Sequence, residues 1–160
     1  AAFGAALGEM VVAYSQPTGA VDDDLSALAA RLKEARTAFL RGVDQDSQAY
    51  DGLRPARREL RAAPNDLEVQ GRYRAAVQRA VDVPLETARR ARAVARDLLA
   101  HRPRLKVALA SDLTTALALL EAASSGALAN ATINLPDLET AGGSTASARA
   151  EIDALRPPIG

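Results

Sequence analysis

Apolar residues recur at intervals of three and four along most of the chain, which is the repeat of an amphipathic α-helix. The longest of these stripes begins at Leu25 and runs through Phe39 to Leu60. It follows three consecutive aspartates, and negative charge is favourable at the start of a helix. Gly52 and Pro55 interrupt the stripe, so the pattern predicts a long helix with a break or kink at that point.

Shorter helices are predicted on either side of this stripe. The apolar segment 1–14 predicts a first helix, and its glycines one turn apart would let another helix come close. Asn65, with Glu68 three residues later, has the pattern of a capping box and predicts the start of a third helix. We expect that helix to bend or break near Pro84 and to end before Pro103.

The segment from Leu105 to Ile133 is apolar nearly all round, which predicts a helix buried between others. A loop is expected over "NLPDLETAGGSTA", followed by a short last helix from Thr145 to Leu155. Aromatic residues make up only 3% of the chain, so strands would lack their usual residues. We therefore predict an all-α fold in residues 1–160: a single-domain bundle of long helices around a buried central helix.

Charge and composition exclude several classes of function. Twenty basic and twenty acidic residues give a net charge of zero, so nothing draws the whole protein to nucleic acid. The absence of Cys and the presence of one His exclude thiol chemistry and Cys/His zinc sites. Isolated carboxylates make a poor coordination set, so we expect no metal and assign acid–base chemistry to Asp and Glu.

Nothing in the sequence predicts a membrane protein. The apolar segment 1–14 contains Glu9 and is shorter than the ~20 residues that span a bilayer. It has no basic start and no cleavage site, so a cytoplasmic location is expected. The helical pattern is already under way at Ala1, so we expect the N-terminus of the domain to be incomplete.

A carboxylate near the start of the apolar helix is the first candidate for chemistry. Asp112 lies among leucines and valines, where it would lose solvation, and Ser111 is beside it. Asn130 and Asn134 form an amide pair at the other end of the same helix. Asp112 and Asn130 lie five turns apart, ~27 Å, so only a twofold partner could bring the two ends together. The alternative is that Asp112 merely caps the helix.

The second candidate is Asp46, which occupies the core-facing stripe of the long helix where an apolar residue is expected. A structural ion pair with Arg57, eleven residues later, is the alternative explanation. Tyr50, one turn further on, could stack on a planar ligand, although such residues are ordinarily core. The arginines at 89–96 could bind a polyanion, but a solvated helix face is the simpler interpretation.

Three short motifs lie between residues 111 and 136: Ser111-Asp112, Gly126-Ala127, and an Asn-x-x-x-Asn-Leu-Pro closing segment. In these motifs the chain resembles the cyclodeaminase/cyclohydrolase family. That family comprises the C-terminal domain of formiminotransferase-cyclodeaminase and the bacterial methenyltetrahydrofolate cyclohydrolases. The segments "VPLETARRA", "DSQAYDGL" and "AAFGAALGEMVV" are also similar to family segments, so the resemblance covers about residues 1–136.

The resemblance implies a dimeric enzyme of folate one-carbon metabolism with a tetrahydrofolate substrate and no further cofactor. Members release ammonia from 5-formiminotetrahydrofolate or hydrate 5,10-methenyltetrahydrofolate to the 10-formyl compound. Buried carboxylates suit both reactions, which need proton transfer and a counter-charge for a cationic carbon. The implied roles are acid–base or electrostatic for Asp112 and Asp46, ligand orientation for Ser111, Asn130 and Asn134, and contact with the pterin for Tyr50.

The alternative is a catalytically silent homologue that keeps the helical scaffold as a dimeric binding or scaffold protein. Family members carry a glycine run before the first helix, and an Asn-Leu-Thr segment with basic residues after it. After its first helix this chain instead has the segment from Tyr14 to Gly19, which is followed by three acidic residues. The missing groups would supply amides and cations for an anionic substrate.

Overall fold

The computed structural model describes residues 1–156, so the last four residues of the predicted 1–160 domain lie outside the described residues. Within that range the protein is all-helical, as predicted. Two single-turn 3₁₀ segments, Arg102–Arg104 and Val107–Leu109, connect α3 to α4. The five α-helices are α1 (Ala2–Ser15), α2 (Asp23–Ala62), α3 (Leu67–His101), α4 (Ala110–Thr140) and α5 (Ala146–Leu155).

The long helix α2 continues through Gly52 and Pro55, so of the break or kink that the pattern predicted, the break is absent. Its 40 residues form one element that is capped by Asp22, whose carboxylate accepts hydrogen bonds from the amides of Asp24 and Leu25. These amide bonds, and the neighbouring Arg104, hold the pKa of Asp22 below its ordinary value. A proline inside a helix removes one amide hydrogen bond, and the packing of the rest of α2 outweighs that loss.

Helix α3 differs from its prediction at its start. Its N-cap is Asp66 rather than Asn65, and the Asp66 carboxylate accepts hydrogen bonds from the amides of Glu68 and Val69. The helix then continues through Pro84 as far as His101.

Helix α4 begins at Ala110, later than the predicted Leu105, and continues through Pro136 to Thr140. Most of the predicted loop "NLPDLETAGGSTA" is therefore helical, and only the turn around Gly142, which has a φ of +73°, is not. The short last helix is confirmed as α5.

The prediction that the central apolar helix is buried all round is wrong. One side of α4 packs in the bundle, while the opposite side is exposed. Among the described residues, Val107–Thr140 is the one segment long and apolar enough to cross a membrane by length and composition. We call the exposed side the small-residue face; it consists of Thr114, Ala118, Ala122, Ser125, Ala129 and Ile133.

The bundle has two apolar cores along its length. One joins α1 to the first half of α2, the second half of α3 and the first half of α4. The other joins the remaining halves of those three long helices to α5. Helix α1 packs against both α2 and α4, so it fills the space between them at one end of the bundle. The first turn of α1 borders an open space between α2 and α4.

The two glycines of α1 allow the close helix approach that the sequence predicted. A Cβ atom at Gly4 would lie 3.0 Å from the backbone oxygen of Ala116, and one at Gly8 would lie 2.9 Å from Leu98 Cδ1. At Gly52 in α2 a Cβ atom would meet nothing within 4 Å.

We therefore expect the same substitution to have opposite effects at these two places. Gly4→Ala should lower the free energy of unfolding by about 1–3 kcal/mol, because α1 would have to move away from the α4 backbone. Gly52→Ala should raise it by about 0.5–1 kcal/mol, because alanine is the better residue in an exposed helix. Urea unfolding of the two variants measures both changes in the free energy of unfolding. The same change in Gly4→Ala as in Gly52→Ala would contradict the packing of α1 on α4.

Candidate active site

An open cleft of about 560 Å³ lies between α2 and α4, beside the first turn of α1. Helix α3 forms its floor with Pro84 and Thr87, and Phe3 borders it from the first turn of α1. The α2 wall consists of Phe39, Gly42, Val43, Asp46 and Ser47, and the α4 wall of Ala122, Ala123, Gly126, Ala127 and Asn130. Most of these side chains are small or apolar, so the cleft can accept a flat organic molecule.

Asp46 is exposed in this cleft and is not part of the core. The prediction had the correct side of α2, because Asp46 continues the stripe that includes Phe39, but it was wrong about burial. Phe39 belongs to the core that α1 shares with α2, whereas at Asp46 the same side of α2 faces the cleft. The Asn130 amide donates a hydrogen bond of 3.4 Å to the Asp46 carboxylate. The structure thus brings together two predicted residues that lie 84 positions apart.

The charge of Asp46 is available to a ligand. It is the one ionisable side chain among the described residues that line the cleft, and within residues 1–156 no cation pairs with it. Arg57, its predicted ion-pair partner, instead binds Asp137, and the hydrogen bond with Tyr73 is the largest cause of the raised pKa of Arg57. The structural alternative for Asp46 is therefore wrong.

Asn134 is engaged with the protein itself. Its amide nitrogen donates to the Ala80 carbonyl at 3.2 Å and to the Asn130 carbonyl at 2.9 Å. Pro84 has no amide hydrogen, so it leaves the Ala80 carbonyl without its usual helical donor. Asn134 satisfies that carbonyl and ties α4 to the proline turn of α3 that forms the cleft floor. These two hydrogen bonds help to position Asn130 and the floor, and the role of Asn134 as a ligand contact stays a prediction.

Asp112 and Ser111 lie outside the cleft, in the first turn of α4. Asp112 is half-buried, and its side chain makes no capping bond to α4 and no ion pair within the described residues. The capping explanation for Asp112 is therefore wrong. Ser111 is exposed beside it. Packing of α1 on Ala116 and Leu120 separates this turn from the cleft, so one chain does not bring Asp112 to Asp46.

The remaining predicted binding residues are exposed or paired. Tyr50 is 62% exposed, one turn beyond Asp46 on α2. In the arginine-rich stretch, Arg89 pairs with Glu86 and Glu151, while Arg92 is buried and donates to Ser124 Oγ at 3.0 Å. The segment is therefore partly structural and is not a free cationic patch. No group of three or more His, Asp or Glu side chains that could hold a metal occurs in the described part of the chain.

Sequence reasoning missed the glycine that opens the α2 side of the cleft. Gly42 lies in the middle of a 40-residue helix, where glycine is unfavourable by about 0.5–1 kcal/mol relative to alanine. A Cβ atom at Gly42 would make only an ordinary contact, 3.7 Å from Thr87 Oγ1, and across the cleft one at Gly126 of α4 would meet nothing within 4 Å. Glycines inside two long helices, with no packing need for either, are a signal that could have located the cleft.

The protein is thus an all-α bundle with a carboxylate-bearing cleft between three of its helices. Residues 1–153 match the formiminotransferase-cyclodeaminase family, and the chain belongs to that family. Its structure is similar to that of formiminotetrahydrofolate cyclodeaminase from Thermotoga maritima, with a TM-score of 0.80 and 23% sequence identity. The likeness covers 99% of this chain and 76% of that one. No curated protein sequence matches the chain.

Proposed function

We propose that this protein is an enzyme of folate one-carbon metabolism that acts on 5-formimino- or 5,10-methenyltetrahydrofolate. The observation that carries the proposal is the Asp46–Asn130 pair, which places one uncompensated carboxylate in a cleft of small and apolar side chains. Both residues belong to motifs through which the chain resembles its family. The solved relative is named as a formiminotetrahydrofolate cyclodeaminase, which agrees with this substrate class.

The chemistry needs a negative group close to the reacting carbon. In the deaminase reaction, N10 adds to the formimino carbon of 5-formiminotetrahydrofolate, the imino nitrogen takes up the N10 proton and one further proton, and ammonia leaves, which gives the 5,10-methenyl cation. In the hydrolase reaction, water adds to the methenyl carbon, its bond to N5 breaks, and a proton is released with 10-formyltetrahydrofolate. In either case Asp46 would stabilise the cationic carbon and accept or return the proton.

The neighbouring side chains have supporting roles in this proposal. Asn130 orients the Asp46 carboxylate and can itself hydrogen-bond to the pterin or to N10. Tyr50 offers an exposed ring one turn away, against which the pterin can stack. Tetrahydrofolate is the substrate, and the proposal includes no metal and no other cofactor.

A twofold dimer would complete the site. The small-residue face of α4 is exposed and uncharged, and small side chains allow two helix backbones to approach closely. Two such faces packed antiparallel would bring the first turn of one α4, with Asp112 and Ser111, towards Asn130 of the other. This arrangement gives the half-buried Asp112 a role in catalysis across the interface.

We expect the protein to elute from gel filtration with twice its monomer mass of 16.7 kDa when the mass is measured by light scattering. Ala118→Arg puts like charges near the twofold axis and should give monomers. Ala154→Arg, on the exposed side of α5, is the matched control and should remain dimeric. A monomeric wild type, or one that sediments with lipid vesicles, would contradict the dimer.

Turnover assays test the proposed reaction directly. Purified protein with 5-formiminotetrahydrofolate should generate the methenyl absorbance and free ammonia if it is a deaminase. With 5,10-methenyltetrahydrofolate it should accelerate the loss of that absorbance if it is a hydrolase. Either rate should survive dialysis against a chelator. A protein that binds the folate without accelerating either reaction would be the silent homologue.

A further inference from the structure

The cleft extends to one side of Asp46 only. Its α2 wall runs from Ser47 and Asp46 back to Phe39, ~10 Å along the helix axis, whereas Tyr50 lies beyond the lining in the other direction. We call the part of the cleft beside Phe39, Gly42 and Val43 its inner half. A ligand whose reacting atom is at Asp46 therefore has one part in the inner half and another part towards Tyr50.

Thr87 is the one polar side chain that lines the inner half among the described residues, and the others there are alanine, glycine, valine, proline and phenylalanine. Its hydroxyl lies opposite Gly42, because a Cβ atom at Gly42 would be 3.7 Å from Thr87 Oγ1. Gly42 has no side chain to cover the hydroxyl, and it precedes Asp46 by about one helical turn, ~6 Å along the axis. The hydroxyl and the Asp46 carboxylate can therefore contact two groups of one ligand.

The Thr87 hydroxyl is held loosely by its own helix. It donates to the Val83 carbonyl at 3.4 Å, which is longer than the roughly 2.5–3.0 Å of an ordinary hydroxyl hydrogen bond. Val83 directly precedes Pro84, and a proline ring displaces the turn of helix before it. Five other threonines make the same bond to the carbonyl four residues earlier at 2.7–3.0 Å: Thr37, Thr114, Thr115, Thr132 and Thr140. The Thr87 hydroxyl thus loses little when it turns to a ligand.

The proposed substrate has a neutral amide at the corresponding place. Its reacting carbon joins N5 of the pterin to N10 of the aminobenzoyl group, so the two flat parts of the molecule extend to opposite sides of that carbon. With the pterin against Tyr50, the benzene ring lies among the small and apolar side chains of the inner half. The amide at the far end of that ring is both a donor and an acceptor, and so is a hydroxyl.

We propose that Thr87 binds the substrate through a hydrogen bond between its hydroxyl and the benzoyl amide. This inference rests on the proposed function and deepens it, since it names the part of the folate that the inner half recognises. The hydrogen bond lies at the other end of the benzene ring from the reacting carbon, so it is the same in the ground state and in the transition state. Thr87 is then a specificity-determining residue that acts on KM and leaves kcat unchanged.

Three variants test this contact with 5,10-methenyl- or 5-formiminotetrahydrofolate, whichever the wild type turns over. Thr87→Val keeps the shape and removes the hydroxyl, so it should raise KM about three- to tenfold at constant kcat, the scale of one neutral hydrogen bond. Thr87→Ser keeps the hydroxyl and should retain a KM close to that of wild type. Thr37→Val is the control, because Thr37 makes the same kind of bond within α2 but does not line the cleft. It should leave KM unchanged.

A truncated substrate locates the hydrogen bond. The corresponding derivative of 6-(anilinomethyl)tetrahydropterin has the pterin and the benzene ring but no benzoyl amide. Wild type and Thr87→Val should have the same KM for it. If Thr87→Val instead raises KM for the truncated and the complete substrate by the same factor, the hydroxyl does not act on the amide and the proposal is overturned.

The outcomes separate this contact from the proposed function. Turnover of the complete substrate with the same KM in wild type and Thr87→Val overturns the contact and leaves the proposed reaction intact. If the wild type turns over neither folate, calorimetry with 5-formyltetrahydrofolate replaces the assay. Binding that weakens about three- to tenfold in Thr87→Val and recovers in Thr87→Ser supports the contact without the reaction. Absence of binding to the wild type overturns both.

Discussion

Replacement of Asp46 by Asn is expected to lower turnover by ~10²-fold or more while the fold is kept. Asparagine has the same shape and can still pair with the Asn130 amide, so the wall of the cleft stays in place. What it lacks is the negative charge and the ability to accept a proton. Because Asp46 is the one ionisable side chain lining the cleft in the described residues, no neighbour there can replace that charge.

Asp44→Asn is the control for this experiment. Asp44 is exposed on the same helix, two residues from Asp46, and does not line the cleft. The same chemical change there should leave both the rate and the melting temperature as in wild type. Equal rates for wild type, Asp44→Asn and Asp46→Asn would remove Asp46 from the mechanism.

The helices were largely predictable because their signal is local. Apolar spacing, apolar segments and capping residues together indicated all five, and the resemblance to the family is confirmed over residues 1–153. At Pro55 and Pro84 the pattern left open whether the helix breaks or only bends, and both helices continue without a break. A proline breaks a helix only when nothing compensates for its missing amide, and at Pro84 the compensating donor, Asn134, is 50 residues away in sequence.

Burial was harder to predict than secondary structure, since it depends on which other elements are present. The stripe of α2 faces the core at Phe39 and open space at Asp46, although the two positions lie on the same side of one helix. The difference comes from what lies against α2 at each position, the core shared with α1 at Phe39 and the cleft at Asp46, which no property of α2 alone reveals. For the same reason, the apolar pattern of α4 predicted a wholly buried helix, whereas the other helices of one chain cover only one of its sides.

The half-buried Asp112 gives the last and most specific expectation. Replacing it with Asn should also lower turnover by ~10²-fold, although Asp112 lies outside the cleft of its own chain. A helix-capping residue would tolerate asparagine, and the structure shows no capping bond from this side chain. A large loss would therefore mean that Asp112 acts on a substrate held by a second subunit. Equal rates for Asp112→Asn and the Asp44→Asn control would exclude such a role.

Mixing the two inactive variants tests whether the site is shared. If Asp46 of one subunit works with Asp112 of the other, a mixed dimer has one site with both carboxylates intact and one with neither. Random reassociation of Asp46→Asn with Asp112→Asn should then restore about a quarter of the wild-type rate, since half of the dimers are mixed. If both groups act within one subunit, every site in the mixture lacks one of them. The mixed sample would then be as slow as its components, and the proposed antiparallel packing of α4 would have to be abandoned.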